Sequence, residues 1–125
     1  MNGINIITDT NILLLILAGG KLVLKYLGCN IYIYEITGIE LLGDKNITET
    51  QYKNRSGLMS NCSIVDLSDS IKRITINLKQ QNNIKIPDAI IAATSLFLNF
   101  PLVTADKDFK KIKELDLKLI DRSTS

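Results

Sequence analysis

Histidine is missing from all 125 residues, and with it goes every mechanism that uses an imidazole as acid, base or metal ligand. Ser-His-Asp and Cys-His nucleophiles and His-containing zinc sites are excluded. Cysteine is nearly as scarce. Cys29 and Cys62 are too few for an all-cysteine zinc site, and their spacing matches no thiol redox motif. They allow one disulfide at most and read as reduced thiols of a cytosolic protein. Long apolar runs are lacking too. The longest, Ile12 to Ala18, falls far short of the roughly 20 residues that span a bilayer. Asp9 precedes that run and the first lysine is Lys21, so the basic head of a secretory signal is absent as well. The expectation is a cytoplasmic protein with no membrane association. A net charge of +2 implies no strong overall pull on nucleic acid.

What is present suffices for one core. With 46% hydrophobic and 22% charged residues, the chain is not of disordered composition. Its length suits a single domain, 1–125, and no repeat or Pro/Gly-rich linker divides it. Ile4–Thr8, Ile31–Tyr34, Ser63–Leu67, Leu102–Thr104 and Leu117–Ile120 read as strands. Helices are expected at Ile12–Ala18, Lys21–Leu27, Ile36–Leu42, Asn46–Ser60, Asp69–Gln81, Asp88–Leu98 and Phe109–Lys113. Thr37 and Ser68 are expected N-caps, Thr48–Gln51 a capping box, and Pro87 a first helical residue. Strands separated by helices imply crossovers. The fold class is therefore α/β, a central parallel sheet with helices on both faces.

That topology places the acids. Ligands of an open parallel sheet bind beyond the carboxyl ends of its strands, near a switch in strand order. Asp9 follows the first strand, and Asp106 and Asp108 follow the fourth. Asp88 starts a helix at the same edge, and Glu40 lies about one turn into another. Carboxylates gathered there repel, and one is driven to protonate unless a cation is present. Oxygen donors without Cys or His point to Mg²⁺ or Mn²⁺. Such a site suits metal-assisted phosphodiester hydrolysis. Each acid also has a plainer role. Asp9 and Asp108 could cap helices, Asp88 could complement a helix dipole, and Glu40 could simply be solvated.

Four segments, Thr8–Leu13, Ile39–Gly43, Pro87–Thr94 and Leu102–Phe109, carry a family resemblance. In order and spacing the chain resembles PIN domains, specifically VapC-type toxin ribonucleases, over nearly its whole length. The resemblance implies a PIN-like fold and an endoribonuclease dependent on Mg²⁺ or Mn²⁺. Asp9 and Asp88 match metal ligands, Glu40 and Asp106 complete the acidic pocket, and Asp108 is a further helper. Asn11 and Thr104 match supporting polar positions. The resemblance also implies a homodimer held inactive by a cognate antitoxin. Glu35 is a decoy, lacking the Glu-Leu-Leu-Gly context of Glu40. Two departures stand out. Tyr34 occupies a strand position where serine is common, and Gly38 occupies a helix start where side chains are usual.

An RNA substrate, whether tRNA, rRNA or mRNA, needs basic residues near the acids. Lys107, Lys110 and Lys111 are the candidates, with Lys113 and Lys118 nearby and Lys72, Arg73 and Lys79 on another helix. Tyr32, Tyr34 and Tyr52 could stack on bases, although the first two also suit a sheet. The apolar run after Asp9 is hydrophobic on nearly every face, suggesting a dimer interface near Leu13–Leu24. Three rivals remain. A phosphatase of haloacid dehalogenase type needs an acid two residues after its nucleophile, where this chain has Asn11. A receiver-like binding module needs an acceptor at the end of the third strand, but Asp66 falls inside it. A non-catalytic PIN-like protein is at odds with the four intact acids.

Overall fold

A computed structural model describes residues 3–121. Five strands form one sheet: β1 (Asn5–Thr8), β2 (Asn30–Tyr34), β3 (Ser63–Val65), β4 (Leu102–Thr104) and β5 (Leu117–Leu119). Their order is β3-β2-β1-β4-β5, and every pairing is parallel. The helices are α1 (Thr10–Leu17), α2 (Glu35–Leu42), α3 (Glu49–Ser60), α4 (Asp69–Gln81) and α5 (Ile86–Leu98). Short 3₁₀ segments cover Lys21–Tyr26 and Lys107–Lys111, where ordinary short helices were expected. Both are brief, and the first has no side-chain cap on its opening N–H groups, conditions that suit the tighter 3₁₀ turn.

The β-branched runs form strands because alternate residues serve opposite faces. Ile6 packs with Ile12, Leu13, Ile33 and Leu41, whereas Ile7 packs with Ile71, Leu78, Ala89 and Leu102. β4 alternates likewise, with Leu102 on the second face and Val103 on the first. α1 and α2 thus cover one side of the sheet and α4 and α5 the other.

Helix signals in the sequence are realised at three places. Thr48 and Gln51 form a complete capping box, Ser68 caps α4, and a proline sits in the first turn of α5. Two caps differ. Tyr34 occupies the N-cap of α2 and has no side-chain bond there, while Thr37 lies inside the helix, buried. Asp106 caps the second 3₁₀ segment by accepting from the Asp108 N–H, so Asp108 is not the cap.

Packing also bears on three expectations. Tyr34 is buried in the core and the Tyr32 ring lies 4.9 Å from that of Phe100, so both serve the sheet rather than stacking on bases. Leu13 is fully buried in the chain's own core, leaving Leu17 and Leu24 as the exposed leucines of that stretch. Gly38 lets two helices approach. A Cβ at this position would stand 2.5 Å from the Met59 methyl of α3.

Candidate active site

The order of strands reverses between β1 and β4, and ligand sites of open α/β sheets form at such a switch. β1 ends at Thr8 and β4 at Thr104, so Asp9 and Asp106 leave adjacent strands at the same edge. Asp9 is bound into the structure at both oxygens. Its Oδ1 accepts from the Ile12 N–H at 3.2 Å, capping α1, and its Oδ2 accepts from the Thr104 hydroxyl at 2.5 Å. The same Thr104 oxygen accepts from the Asp106 N–H at 3.1 Å. Asp106 Oδ1 in turn accepts from the Asp108 N–H at 2.9 Å. One hydroxyl therefore ties together the turns that carry two of the acids. Capping and site-building are not alternatives for Asp9: it does the first while standing in the second.

Asp88 joins from the first turn of α5. Burial pushes its carboxyl above the ordinary 3.8, the negative charges of Asp106 and Asp9 add to the rise, and Lys85 opposes it. Asp108 contributes a further, smaller rise. Burial also raises Asp9, partly countered by the Thr104 and Ile12 hydrogen bonds, with Asp106 again adding to the rise. These shifts have one physical meaning. Four carboxylates feel one another in a partly desolvated rim, the circumstance that a cation relieves.

Glu40 is held differently. It is not among the charges that shift Asp9 or Asp88. Its Oε1 accepts from the Thr10 hydroxyl at 2.9 Å, which links α2 to the first residue of α1, next to Asp9. Among the described residues no three acids converge tightly enough to form a ready-made metal cage. The donor chemistry nevertheless fits a hard divalent ion: oxygen only, mutually repulsive, and with lone pairs to spare, because each carboxylate offers about four acceptor sites. Asp9 uses two of them internally.

The remaining sequence candidates lie around this rim. Asn11 is exposed and makes no side-chain hydrogen bond among the described residues. Lys107 and Lys110 are exposed on the 3₁₀ segment, and the Lys111 ammonium donates to the Asn83 carbonyl at 3.0 Å. Two contributors were not picked out from sequence. Thr10 was passed over as the residue beside an acid, although a hydroxyl there faces the same edge. Lys85 is the other, a local neighbour of Asp88 three residues before it at the start of α5.

Comparison with known proteins gives the family and the fold. Residues 6–115 match the family described as PIN domain. A toxin-antitoxin complex from Klebsiella pneumoniae contains a chain 30% identical, with a TM-score of 0.75 over 90% of this chain and 94% of that one. VapBC2 from Rickettsia felis, solved with a promoter DNA fragment, is 23% identical with a TM-score of 0.79, covering 94% and 100%. PAE2754 from Pyrobaculum aerophilum shares the fold at 16% identity and a TM-score of 0.63, covering 91% and 89%. No curated protein matches.

Proposed function

This chain belongs to the PIN domain family, and from that membership we propose that it is a metal-dependent endoribonuclease, the toxin of a toxin–antitoxin pair. One observation carries the reading: the Thr104 hydroxyl joins Asp9 to the Asp106 turn, at the rim where Asp88 also stands. Nuclease activity and use of divalent metal are general in this family, and the Klebsiella relative was solved as a toxin-antitoxin complex.

Asp9 and Asp88 would hold Mg²⁺ or Mn²⁺, with Asp106 and Glu40 completing the pocket and Asp108 assisting. When bound, the cation supplies positive charge to polarise a phosphoryl oxygen and to lower the pKa of water. The protein's own part is positional. Thr104 and the Ile12 N–H fix the Asp9 carboxylate, and Thr10 steadies Glu40. Asn11 borders the site from the first turn of α1. Lys107, Lys110 and Lys111 attract the RNA backbone toward the acids.

The reading includes a homodimer, with exposed Leu17 and Leu24 as candidate contacts, and a cognate antitoxin as inhibitor. The reading places its action in the cytoplasm; among the described residues no helix is long and apolar enough to cross a membrane. The test is incubation of total cellular RNA with purified protein and Mn²⁺ or Mg²⁺, beside EDTA and Asp88→Asn controls. Discrete fragments that require metal and vanish in the variant support the reading. Intact RNA with a folded, metal-binding, antitoxin-free sample overturns it.

A further inference from the structure

Beside the acids lies a polar cavity of about 320 Å³, walled by the connection from α4 to α5 and by the 3₁₀ segment after β4. Three lysines line it, Lys79, Lys85 and Lys111, together with Asn83 and Ile84. Asp88 and Asp108 form its boundary with the acidic rim. We propose that this cavity is a phosphate subsite, seating a backbone phosphate of the RNA strand next to the one that is cut. The proposal rests on the nuclease reading above and adds a place for the substrate to it.

Charge and preorganisation both favour that ligand. Three cations against two carboxylates leave the wall net positive, in a chain whose total charge is only +2. Two of the lysines are already fixed. Lys79 donates to the Ile84 carbonyl at 2.6 Å, and Lys111 donates to the Asn83 carbonyl at 3.0 Å. An ammonium has three N–H donors, so each keeps two for an anion while its long side chain is already held in place. Ordering such a side chain on binding otherwise costs rotamer entropy. The connection that supplies these carbonyls is itself tight, with the Ile84 N–H donating to the Asn82 carbonyl at 3.1 Å. Lys85, at the N-cap of α5, is the cation whose charge acts on Asp88. It lines the cavity beside Asp88, three residues on in the same helix start. Asp88 and Asp108 repel any anion, an acidic peptide and a phosphate alike, so the choice of ligand rests on the rim beyond them. A phosphodiester strand continuing over a cation-loaded rim meets both halves of the surface.

The test is fluorescence anisotropy with a labelled, mixed-sequence single-stranded RNA of about 20 nucleotides. It is run with Ca²⁺ in place of Mg²⁺ or Mn²⁺, an oxygen-seeking ion that loads the rim while cleavage is slow, over a series of monovalent salt concentrations. Loss of one phosphate contact lowers the slope of log affinity against log salt by about 0.7. Lys85→Gln is expected to show that fall and severalfold weaker binding. Lys85→Arg retains the wild-type slope, and Lys53→Gln on α3 behaves as wild type. Circular dichroism establishes that each variant is folded, and Lys79→Gln gives an independent second reading. Wild-type slopes in both glutamine variants overturn the subsite while leaving cleavage of total RNA to judge the nuclease reading separately. A labelled hexaglutamate peptide whose binding depends on Lys85, while RNA binding does not, overturns it in favour of an acidic segment. Wild-type protein that neither binds nor cuts RNA brings down both.

Discussion

Thr104 and Asp9, 95 residues apart in the chain, share a buried hydrogen bond of 2.5 Å, hydroxyl to carboxylate. Replacing the hydroxyl with a methyl keeps the shape and removes the donor. Thr104→Val is therefore expected to cost about 1–3 kcal/mol, the usual penalty for stranding a buried acceptor. Thr104→Ser keeps most of the stability. Urea denaturation of the three proteins measures this, and a valine variant as stable as wild type would refute a structural role for the bond.

Asp88 gives a pH dependence of definite sign. Its carboxyl titrates above the ordinary 3.8 in the folded protein, so the native state binds that proton more tightly than the unfolded chain does. Its contribution to stability is favourable at low pH and is lost as pH rises from about 3.8 through the raised value. At neutral pH the ionised group is a standing burden. Asp88→Asn is expected to melt higher than wild type at pH 7, with the gap closing below pH 4. Mg²⁺ should raise the wild-type melting temperature and leave that of the variant almost unmoved. Melting curves across pH, with and without Mg²⁺, read both effects.

Thr10 separates positioning from folding. Its hydrogen bond to Glu40 is exposed, so Thr10→Val should change stability by less than about 1 kcal/mol. Supporting partners of metal ligands commonly matter by about tenfold or more in metal affinity. Calorimetric titration with Mn²⁺ should show that loss in the valine variant and recovery in Thr10→Ser. Unchanged Mn²⁺ affinity in the valine variant would show that Glu40 needs no such support.

Two glycines near each other in sequence should respond oppositely to alanine. At Gly43 a Cβ would stand 2.5 Å from the Ile39 carbonyl oxygen, a backbone atom that cannot yield cheaply. Gly43→Ala is expected to destabilise by about 1–3 kcal/mol. At Gly38 the obstacle is the methyl end of Met59, which can swing aside. The gain of about 1 kcal/mol in helix propensity offsets that movement, and Gly38→Ala should be close to neutral. Denaturant midpoints of the two variants decide between these accounts.

Cys62 should be nearly inert. Burial pushes its thiol up to about 11, and its Sγ donates to the Leu58 carbonyl at 3.4 Å. At pH 8 only about one thiol in a thousand is then ionised. Labelling with a thiol reagent, compared between wild type and Cys62→Ser, should show almost no difference at that pH.

Local features were the most legible part of the sequence. β-branched runs such as Ile4–Thr8 marked strands because alternate side chains must fill two cores, and Thr48, Ser68 and Pro87 marked helix starts through their own chemistry. The helix after Tyr34 was harder. Thr37 has the right side chain for a cap, but burying it leaves α2 to begin three residues earlier. Asp106 and Asp108 are both capping residues by type, and only the backbone path selects the first. Acids could be assigned to one sheet edge because parallel topology fixes where each strand ends. The hydroxyl of Thr10 could not, since it acts across the fold on a residue of another element; Lys85 stands three residues before Asp88 at the same helix start, so its charge lay within reach of the sequence.

The central place of β1 has a consequence for how the chain matures. β2 follows it closely and can pair early, but the other neighbour is β4, which begins only at Leu102. Closing that long loop is the slow, entropically costly part of assembly. Until it closes, Asp9 has neither the Thr104 hydroxyl nor the Asp106 turn beside it. A ribosome partway through this protein therefore holds a chain with no assembled acidic centre. The rim is completed only when the last strands emerge, and a chain stopped before Leu102 cannot build it.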